Sequence, residues 1–403
     1  MNPLLARWRA DTPGCSFRNH LNNAGAALMP SPVLDAVISH LRLESDMGGY
    51  EAAGTRASEV ERGYTDIATL INAAPRNVAV VANATTGFIQ ALSSFDFAAG
   101  DTIVTSRCDY ISNQIHYLSL RDRLGVRLLH APDLPEGGVD PQAVREILTR
   151  QRCRLVTVSW VPTNSGLVQD VESVGAVCEE AGVPYIVDAC QAVGQIPIDV
   201  ERLKCDYLSA TARKFLRGPR GIGFLYASDR ALARGDHPLF IDMRGARWVA
   251  ADRYDVQPTA RRYEDWEFPY ALVLGQAEAV SYALAVGIDT AQRVSRELAG
   301  RLRARLAAMP GVRVLDRGRE QCAIVTAAIE GVRGEAIVAR LSSRSINTVA
   351  TLREYAQLDF EEKGVSSAVR ISPHYYNTID EVDRAADVIA ELAAERGATA
   401  ARV

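Results

Sequence analysis

Only three side chains in this 403-residue chain can act as nucleophilic amines: Lys204, Lys214 and Lys363. Lys and Arg together number 45, so nearly all positive charge comes from arginine. A guanidinium stays protonated and cannot form a Schiff base. Any amine chemistry therefore falls to one of three residues. Lys204 ("ERLKCD") and Lys363 ("FEEKGV") sit among charges and read as exposed. Lys214 lies in "YLSATARKFLRGPRGIGFLY", after small and hydroxyl residues and before a glycine-rich stretch. Its neighbours Thr211 and Arg213 are suited to an anion such as phosphate. The run "GPRGIG" leads into a strand instead of opening a helix, so it fails as a dinucleotide fingerprint.

Three further features accompany Lys214. "NATTGF" (83–88) places Thr85, Thr86 and Gly87 at a helix start, where hydroxyls and free N–H groups can cradle phosphate. Ordinary helix capping is the plainer reading of those threonines. Asp188 closes the apolar stretch "YIVDA". A carboxylate at the carboxyl end of a buried strand can hold a pyridine-type nitrogen protonated, or it can simply cap a turn. Arg370, in "VRISPHYYNTIDEVD", has the planar fork that grips a carboxylate, with a structural ion pair as the alternative.

The elements that must position these residues alternate. Strand candidates are 78–82, 102–106, 126–131, 155–160, 185–189, 207–211 and 221–227, with helices near 85–96, 111–124, 140–151 and 170–181 between them. This alternation, with near-continuous apolar strands, predicts an α/β fold with a mostly parallel seven-stranded sheet covered by helices. After about residue 260 the pattern becomes α+β. Helices near 270–287 and 289–308 precede strands at 322–329, 346–350 and 368–372, with a helix near 333–342 between the first two and a final one from about 378. The expected organisation is an N-terminal segment (1–20), a large domain (21–260) and a smaller C-terminal domain (261–403). Ser31, between two prolines, is expected to cap the first long helix.

Hydrophobic residues make up 48% of the chain and charged residues 23%, an ordinary globular composition. A net charge of −4 gives no positive field for nucleic acid. No apolar run reaches the ~20 residues of a membrane span, and the N-terminus lacks a secretion-signal core. Seven dispersed cysteines, without a CxxC pair or a histidine cluster, read as free thiols in a reducing cytoplasm, with no metal site expected.

The order Thr-Thr-Gly, Asp-x-x-Gln, Lys-Phe-x-x-Gly-x-x-Gly-Ile-Gly and Arg-x-Ser-x-x-x-Tyr-Asn-Thr resembles the class V aminotransferase family of fold-type I enzymes dependent on pyridoxal 5′-phosphate (PLP). The resemblance runs from "HLNNAGAALMP" (20–30) to about residue 390. It implies that Lys214 carries the cofactor covalently and moves the substrate Cα proton. It implies that Asp188 pairs with the ring nitrogen, Gln191 meets the ring 3-oxygen, and Thr85, Thr86, Thr211 and Arg213 bind the phosphate. Arg370, with Asn23, would hold the substrate carboxylate, and Asn164 would approach cofactor or substrate. A homodimer is implied, with the "GGYEAAG" loop (48–54) and the segment around 260–267 reaching the partner's site.

Departures from the family pattern bear on the reaction. Tyr110 stands where a ring-stacking His is usual; an aromatic still stacks. Arg213 replaces the usual His before the lysine, and Trp266 and Glu267 lie where a Gly-Thr pair reaches the partner's phosphate. Desulfurases carry a nucleophilic Cys upstream of the carboxylate-binding Arg, yet residues 342–369 contain none. Cys322, on an apolar strand, and Cys190, beside the ring site, read as packing residues. The expectation is a carbon–sulfur β-lyase acting on a cysteine S-conjugate, cystine or a related sulfur amino acid, giving pyruvate, ammonia and a thiol-type product, with secondary metabolism as one setting. Transamination, epimerisation and oxidative decarboxylation are the alternatives on the same cofactor, and a non-catalytic protein on the same fold is the third reading. Tyr50, Trp160, Arg244, Arg247 and Trp266 are the side-chain pocket candidates.

Overall fold

The structure, a computed structural model, describes residues 3–400, the last three of them by backbone alone. All seven expected strands form one sheet. They are β1 (Val78–Val81), β2 (Thr102–Thr105), β3 (Arg127–His130), β4 (Leu155–Ser159), β5 (Tyr185–Asp188), β6 (Tyr207–Thr211) and β7 (Gly223–Ala227). Their spatial order is β1-β7-β6-β5-β4-β2-β3. The pairs β2–β3, β2–β4, β4–β5 and β5–β6 are parallel, and β7 runs antiparallel to both β6 and β1. Six strands are buried along their whole length, which explains their near-continuous apolar runs. The edge strand β3 is the half-exposed exception.

A four-stranded antiparallel sheet forms the second layer of structure. It contains β8 (Val312–Val314), β9 (Val325–Ile329), β10 (Val349–Leu352) and β11 (Ser367–Ile371), in the order β8-β9-β11-β10. The helices Ile288–Ala307 and Ile379–Ala400 pack together beside it. The chain does not separate cleanly at residue 260. Ala260 and Tyr263 lie in the core cluster of the large sheet. The helix Tyr270–Val286 packs against the helices Ser31–Met47 and Ala57–Ile71. That helix buries residues around much of its circumference, so it needs neighbours on several sides. At the other end of the chain, Asn19–His20 pairs in parallel with Ile346–Asn347, and Trp8 meets Tyr375 edge-on at 5.1 Å. The N-terminal segment is thus fastened to the C-terminal part.

Two local expectations are corrected. The first long helix starts at Ser31 itself, with extended Pro30 in the cap position and no side-chain cap bond. The hydroxyl expected to cap falls inside the first turn. Gly49–Thr55, which takes in all of the "GGYEAAG" loop (48–54) but Gly48, forms a short helix. Among the described residues no single helix is long and apolar enough to cross a membrane, and no cluster of three or more His, Cys, Asp or Glu is placed to hold a metal.

Candidate active site

The carboxyl ends of β4, β5 and β6, with the segments that follow β1 and β2, surround a cavity of about 350 Å³. Ligands sit at this edge of open α/β sheets. Lys214, Asp188, Tyr110, Thr85, Gln191, Thr211 and Arg213 all line it. Residues distant in sequence converge because each follows a strand of the same sheet.

Lys214 sits on a tight turn beyond β6. The turn is closed by the Arg217 N–H on the Lys214 carbonyl (2.9 Å) and the Gly218 N–H on the Ala212 carbonyl (2.8 Å). Gly194, at φ +88, lets the neighbouring turn come so close that a Cβ there would lie 2.4 Å from the Phe215 carbonyl carbon. The Lys214 side chain is buried, with Nζ 5.9 Å from the centre of the Tyr110 ring. Burial pushes its amine below the ordinary lysine range; Cys190 and Asp188 oppose that shift, while Arg213 and Arg370 add to it. An amine so placed is more readily a neutral base or nucleophile.

Asp188 ends β5. Its Oδ1 accepts the Cys190 N–H at 2.9 Å, and its Oδ2 accepts Asn113 Nδ2 at 3.1 Å. Behind it lies Asp109, which accepts Ser159 Oγ at 2.6 Å, the Tyr110 N–H at 2.7 Å and Gln114 Nε2 at 2.8 Å. Burial raises the Asp109 carboxyl above its usual range, and these hydrogen bonds work against the rise. Gln169 reaches Ser106 Oγ, the Cys108 carbonyl and the Ser159 carbonyl, so the loop carrying Tyr110 is held from beneath.

The helix Ala84–Ser93 points its N-terminus at the cavity. Asn83 caps it by accepting the Thr86 N–H at 2.9 Å. Gln191 donates to the Ala24 carbonyl at 3.1 Å, while its buried Oε1 has no hydrogen-bond partner. Arg370, on β11, is buried and donates to the Thr163 carbonyl (3.0 Å) and Asn22 Oδ1 (3.3 Å). Its Nε is buried without a partner. Burial and then Arg213 push this guanidinium down to about 10. Arg213 donates to the Gly25 carbonyl. Lys214, Arg213 and Arg220 line the cavity with Asp188, and Arg370 stands just outside the lining, bonded to the carbonyl of lining residue Thr163; this balance suits an anionic ligand.

Several expected residues are placed elsewhere. Asn164 turns away and donates to Asp359 at 2.7 Å, because that carboxylate, paired with Lys363, lies against the Asn164 loop. Lys363 is therefore buried in an ion pair, not exposed as its charged neighbours suggested. Asn23 bonds the Ser372 carbonyl (2.7 Å) and Tyr376; its neighbour Asn22 is the one that meets Arg370. Thr86 lies one step along the helix from the lining residue Thr85, its N–H spent on the cap. None of the five pocket candidates lines the cavity. Trp160 is core, Arg244 pairs with buried Glu264, and Tyr50, Arg247 and Trp266 are exposed. Asn22, Asn83, Ser159, Asn113 and Arg220 were not singled out from the sequence. The doublet Asn22-Asn23 and the Arg of "GPRG" were the available signals; Ser159 and Asn113 carry none.

The class V aminotransferase family matches residues 19–385, and the chain belongs to it. It is accordingly an enzyme dependent on pyridoxal 5′-phosphate. The chain is 25% identical over 395 residues to a probable cysteine desulfurase of Methanothermobacter thermautotrophicus, covering 96% of this chain and 97% of that one. It is 30% identical over 403 residues to a probable hercynylcysteine sulfoxide lyase of Mycobacterium tuberculosis, covering 98% and 95%. A cysteine desulfurase from Thermococcus onnurineus NA1 shares the fold with a TM-score of 0.87 at 23% identity, covering 97% of this chain and 98% of that one. The cystine C–S lyase C-DES, solved with its product cysteine persulfide, shares it with a TM-score of 0.83 at 21% identity, covering 94% and 99%.

The cavity residues fit the cofactor. A buried amine, a carboxylate at the strand end, and a helix N-terminus beside Thr85 and Thr211 are the groups such a molecule requires.

Proposed function

We propose that the protein is a carbon–sulfur β-lyase acting on cystine or another S-substituted cysteine, and that it yields pyruvate, ammonia and a thiol-type product. Bound pyridoxal phosphate supplies an electron sink conjugated to the substrate Cα. Asp188 holds the proton on the ring nitrogen, and Asn113 and Cys190 fix the carboxylate by hydrogen bonds. Thr85, Thr211 and Arg213 take the phosphate, and the Tyr110 ring covers one wall. Arg370 orients the substrate carboxylate, braced by Thr163 and Asn22. Lys214 takes the Cα proton. The Cα–H and Cβ–S bonds break, sulfur leaves with the bonding pair, and water is consumed in releasing the keto acid and ammonia.

The observation that carries this reading is the thiol inventory. A desulfurase needs a reactive thiolate close to the substrate sulfur. Cys190 is the cysteine that lines this cavity, and burial holds its thiol up at about 12. Cys108, Cys153, Cys178, Cys205 and Cys322 are buried, Cys15 is half-buried in the N-terminal segment and does not line the cavity, and residues 342–369 have no cysteine. β-Elimination needs only a Cα base, an electron sink and a leaving group. The relatives named as a sulfoxide lyase and a C–S lyase support the same direction.

Product analysis tests it. Purified enzyme given cystine or S-substituted cysteines is expected to release pyruvate and ammonia, unaffected by Cys190→Ser. Alanine as the main product, lost on mutating any one cysteine, would sink the proposal. A keto acid retaining sulfur, with accumulation of pyridoxamine phosphate, would favour transamination.

A homodimer belongs to the same reading. Phe240 (88% exposed), Trp248 (79%) and Tyr50 (77%) are large apolar side chains left open to solvent, and Leu239, Met243 and Trp266 are exposed with them. A monomer rarely leaves so many large apolar groups uncovered.

A further inference from the structure

Arg217, three residues beyond Lys214, is a buried cation that the chemistry above does not use. It is 1% exposed and has no carboxylate partner among the described residues. Its backbone sits at φ +63, a left-handed conformation that suits glycine, and the next residue is Gly218. A strained, bulky, charged residue persists in such a place only when its surroundings hold it there. They do: Nε donates to the Leu28 carbonyl (2.9 Å), Nη1 to the Tyr375 hydroxyl (2.6 Å) and Nη2 to Thr12 Oγ1 (2.5 Å). The guanidinium also lies 4.3 Å from the Tyr376 ring centre and 5.2 Å from that of Tyr375.

These contacts join three separate stretches of chain. Thr12 and Leu28 bracket the N-terminal segment, and that segment supplies much of the site's bracing. Asn22 meets Arg370, the Ala24 carbonyl meets Gln191, and the Gly25 carbonyl meets Arg213. The Ala27 N–H in turn donates to the Arg213 carbonyl at 2.9 Å. The Lys214 turn is bonded through the Arg217 N–H, and His374, next to Tyr375, contacts the Phe215 carbonyl at 2.8 Å. An apolar side chain would fill this space at lower desolvation cost, so stability alone gives weak reason for a cation here.

We propose that Arg217 is a positioning residue. It locks the Lys214 turn, the segment 12–28 and the Tyr375–Tyr376 corner into one unit, so that the reactive amine and the Arg370 carboxylate grip keep their mutual placement. The inference rests on the reading of Lys214 as the cofactor lysine and of Arg370 as the carboxylate site.

The test uses the holoenzyme with Arg217→Lys and Tyr375→Phe, the second removing one hydroxyl while leaving the ring. Glycine, which has the α-carboxylate and no leaving group, serves as the binding probe, followed by the change in cofactor absorbance. Backbone hydrogen exchange is followed in parallel. Arg217→Lys is expected to bind glycine roughly tenfold more weakly, and Tyr375→Phe to show a smaller loss in the same direction. Residues 12–28 and 213–218 should exchange faster together in both variants. Ile329→Val, a destabilising change in β9, should lower Tm without moving either readout. Wild-type glycine affinity in the variants, or losses that simply follow Tm across all three proteins, would overturn the proposal. If Arg217→Lys does not fold, Tyr375→Phe decides the matter alone. Failure of the underlying reading looks different: a Lys214→Ala variant would still give a borohydride-reducible adduct, and the exchange data would then judge Arg217 by themselves.

Discussion

Replacing Arg370 separates a binding role from a structural one. A guanidinium has five N–H donors. In Arg370 one goes to the Thr163 carbonyl and one to Asn22 Oδ1, which leaves the Nε–H and one N–H on each Nη for a ligand. Thr163 lines the cavity, so the bond to its carbonyl sets Arg370 at the cavity border, and Asn22 braces the second Nη. Losing one partner of a buried, hydrogen-bonded charge pair costs about 2–5 kcal/mol. At about 1.4 kcal/mol per factor of ten, Arg370→Ala should raise KM for a cysteine conjugate between roughly thirtyfold and several thousandfold. Arg370→Lys should recover little, because a point charge cannot bond the Thr163 carbonyl, Asn22 and a bidentate carboxylate together. The stability consequence has the opposite sense. Arg370 is buried with no carboxylate partner among the described residues, so removing it deletes a desolvation cost and breaks no ion pair. The apoprotein Tm should therefore stay within about 2 °C of wild type or rise. Steady-state kinetics on S-substituted cysteines and apoprotein melting are the assays. Wild-type KM, or a large fall in Tm with KM unchanged, would refute the reasoning and make Arg370 a structural residue.

Lys214→Ala should fold, yet lose the visible absorbance of the lysine-linked cofactor and its borohydride-reducible attachment; Lys204, on Glu179, and Lys363, on Asp359, are committed to ion pairs. His374 makes stability sensitive to acid. Burial, and then Arg217, push its imidazole down to about 3 from an ordinary 6.5, so the folded state stays neutral while the unfolded chain takes up a proton below 6.5. Stability from this group is fully present above pH 6.5 and is lost as pH falls toward 3; the loss at pH 5.5 is about 1.4 kcal/mol. Denaturant midpoints at pH 7.5 and 5.5 should converge in His374→Gln by that amount, and equal slopes in variant and wild type would refute the assignment. Light scattering should give a dimer mass, with Phe240→Glu weakening it; a monomer with full activity on dilution would contradict the homodimer.

Much of this protein was legible in one dimension, and for a physical reason. Strands buried on both faces are mostly apolar, so β1, β2 and β4 to β7 announce themselves as short runs, and a scarcity of lysine points to Lys214. Short-range chemistry is also local: Thr85 at a helix start and Asp188 at a strand end follow from the elements that carry them. What the sequence could not decide is which side chain of a loop turns inward. Asn22 and Asn23 are adjacent and alike, yet Ser372 and Tyr376 claim Asn23, and Arg370 is left to Asn22. Asn164 sits between lining residue Thr163 and the core, and the Asp359–Lys363 pair draws it away. Lys363 looked solvated among charges, because nothing in "FEEKGV" reveals that this turn packs against the loop after β4. Arg217 is the extreme case. Its cage is built from Thr12, Leu28, Tyr375 and Tyr376, residues up to 205 positions away, and only the folded chain brings them to one cation.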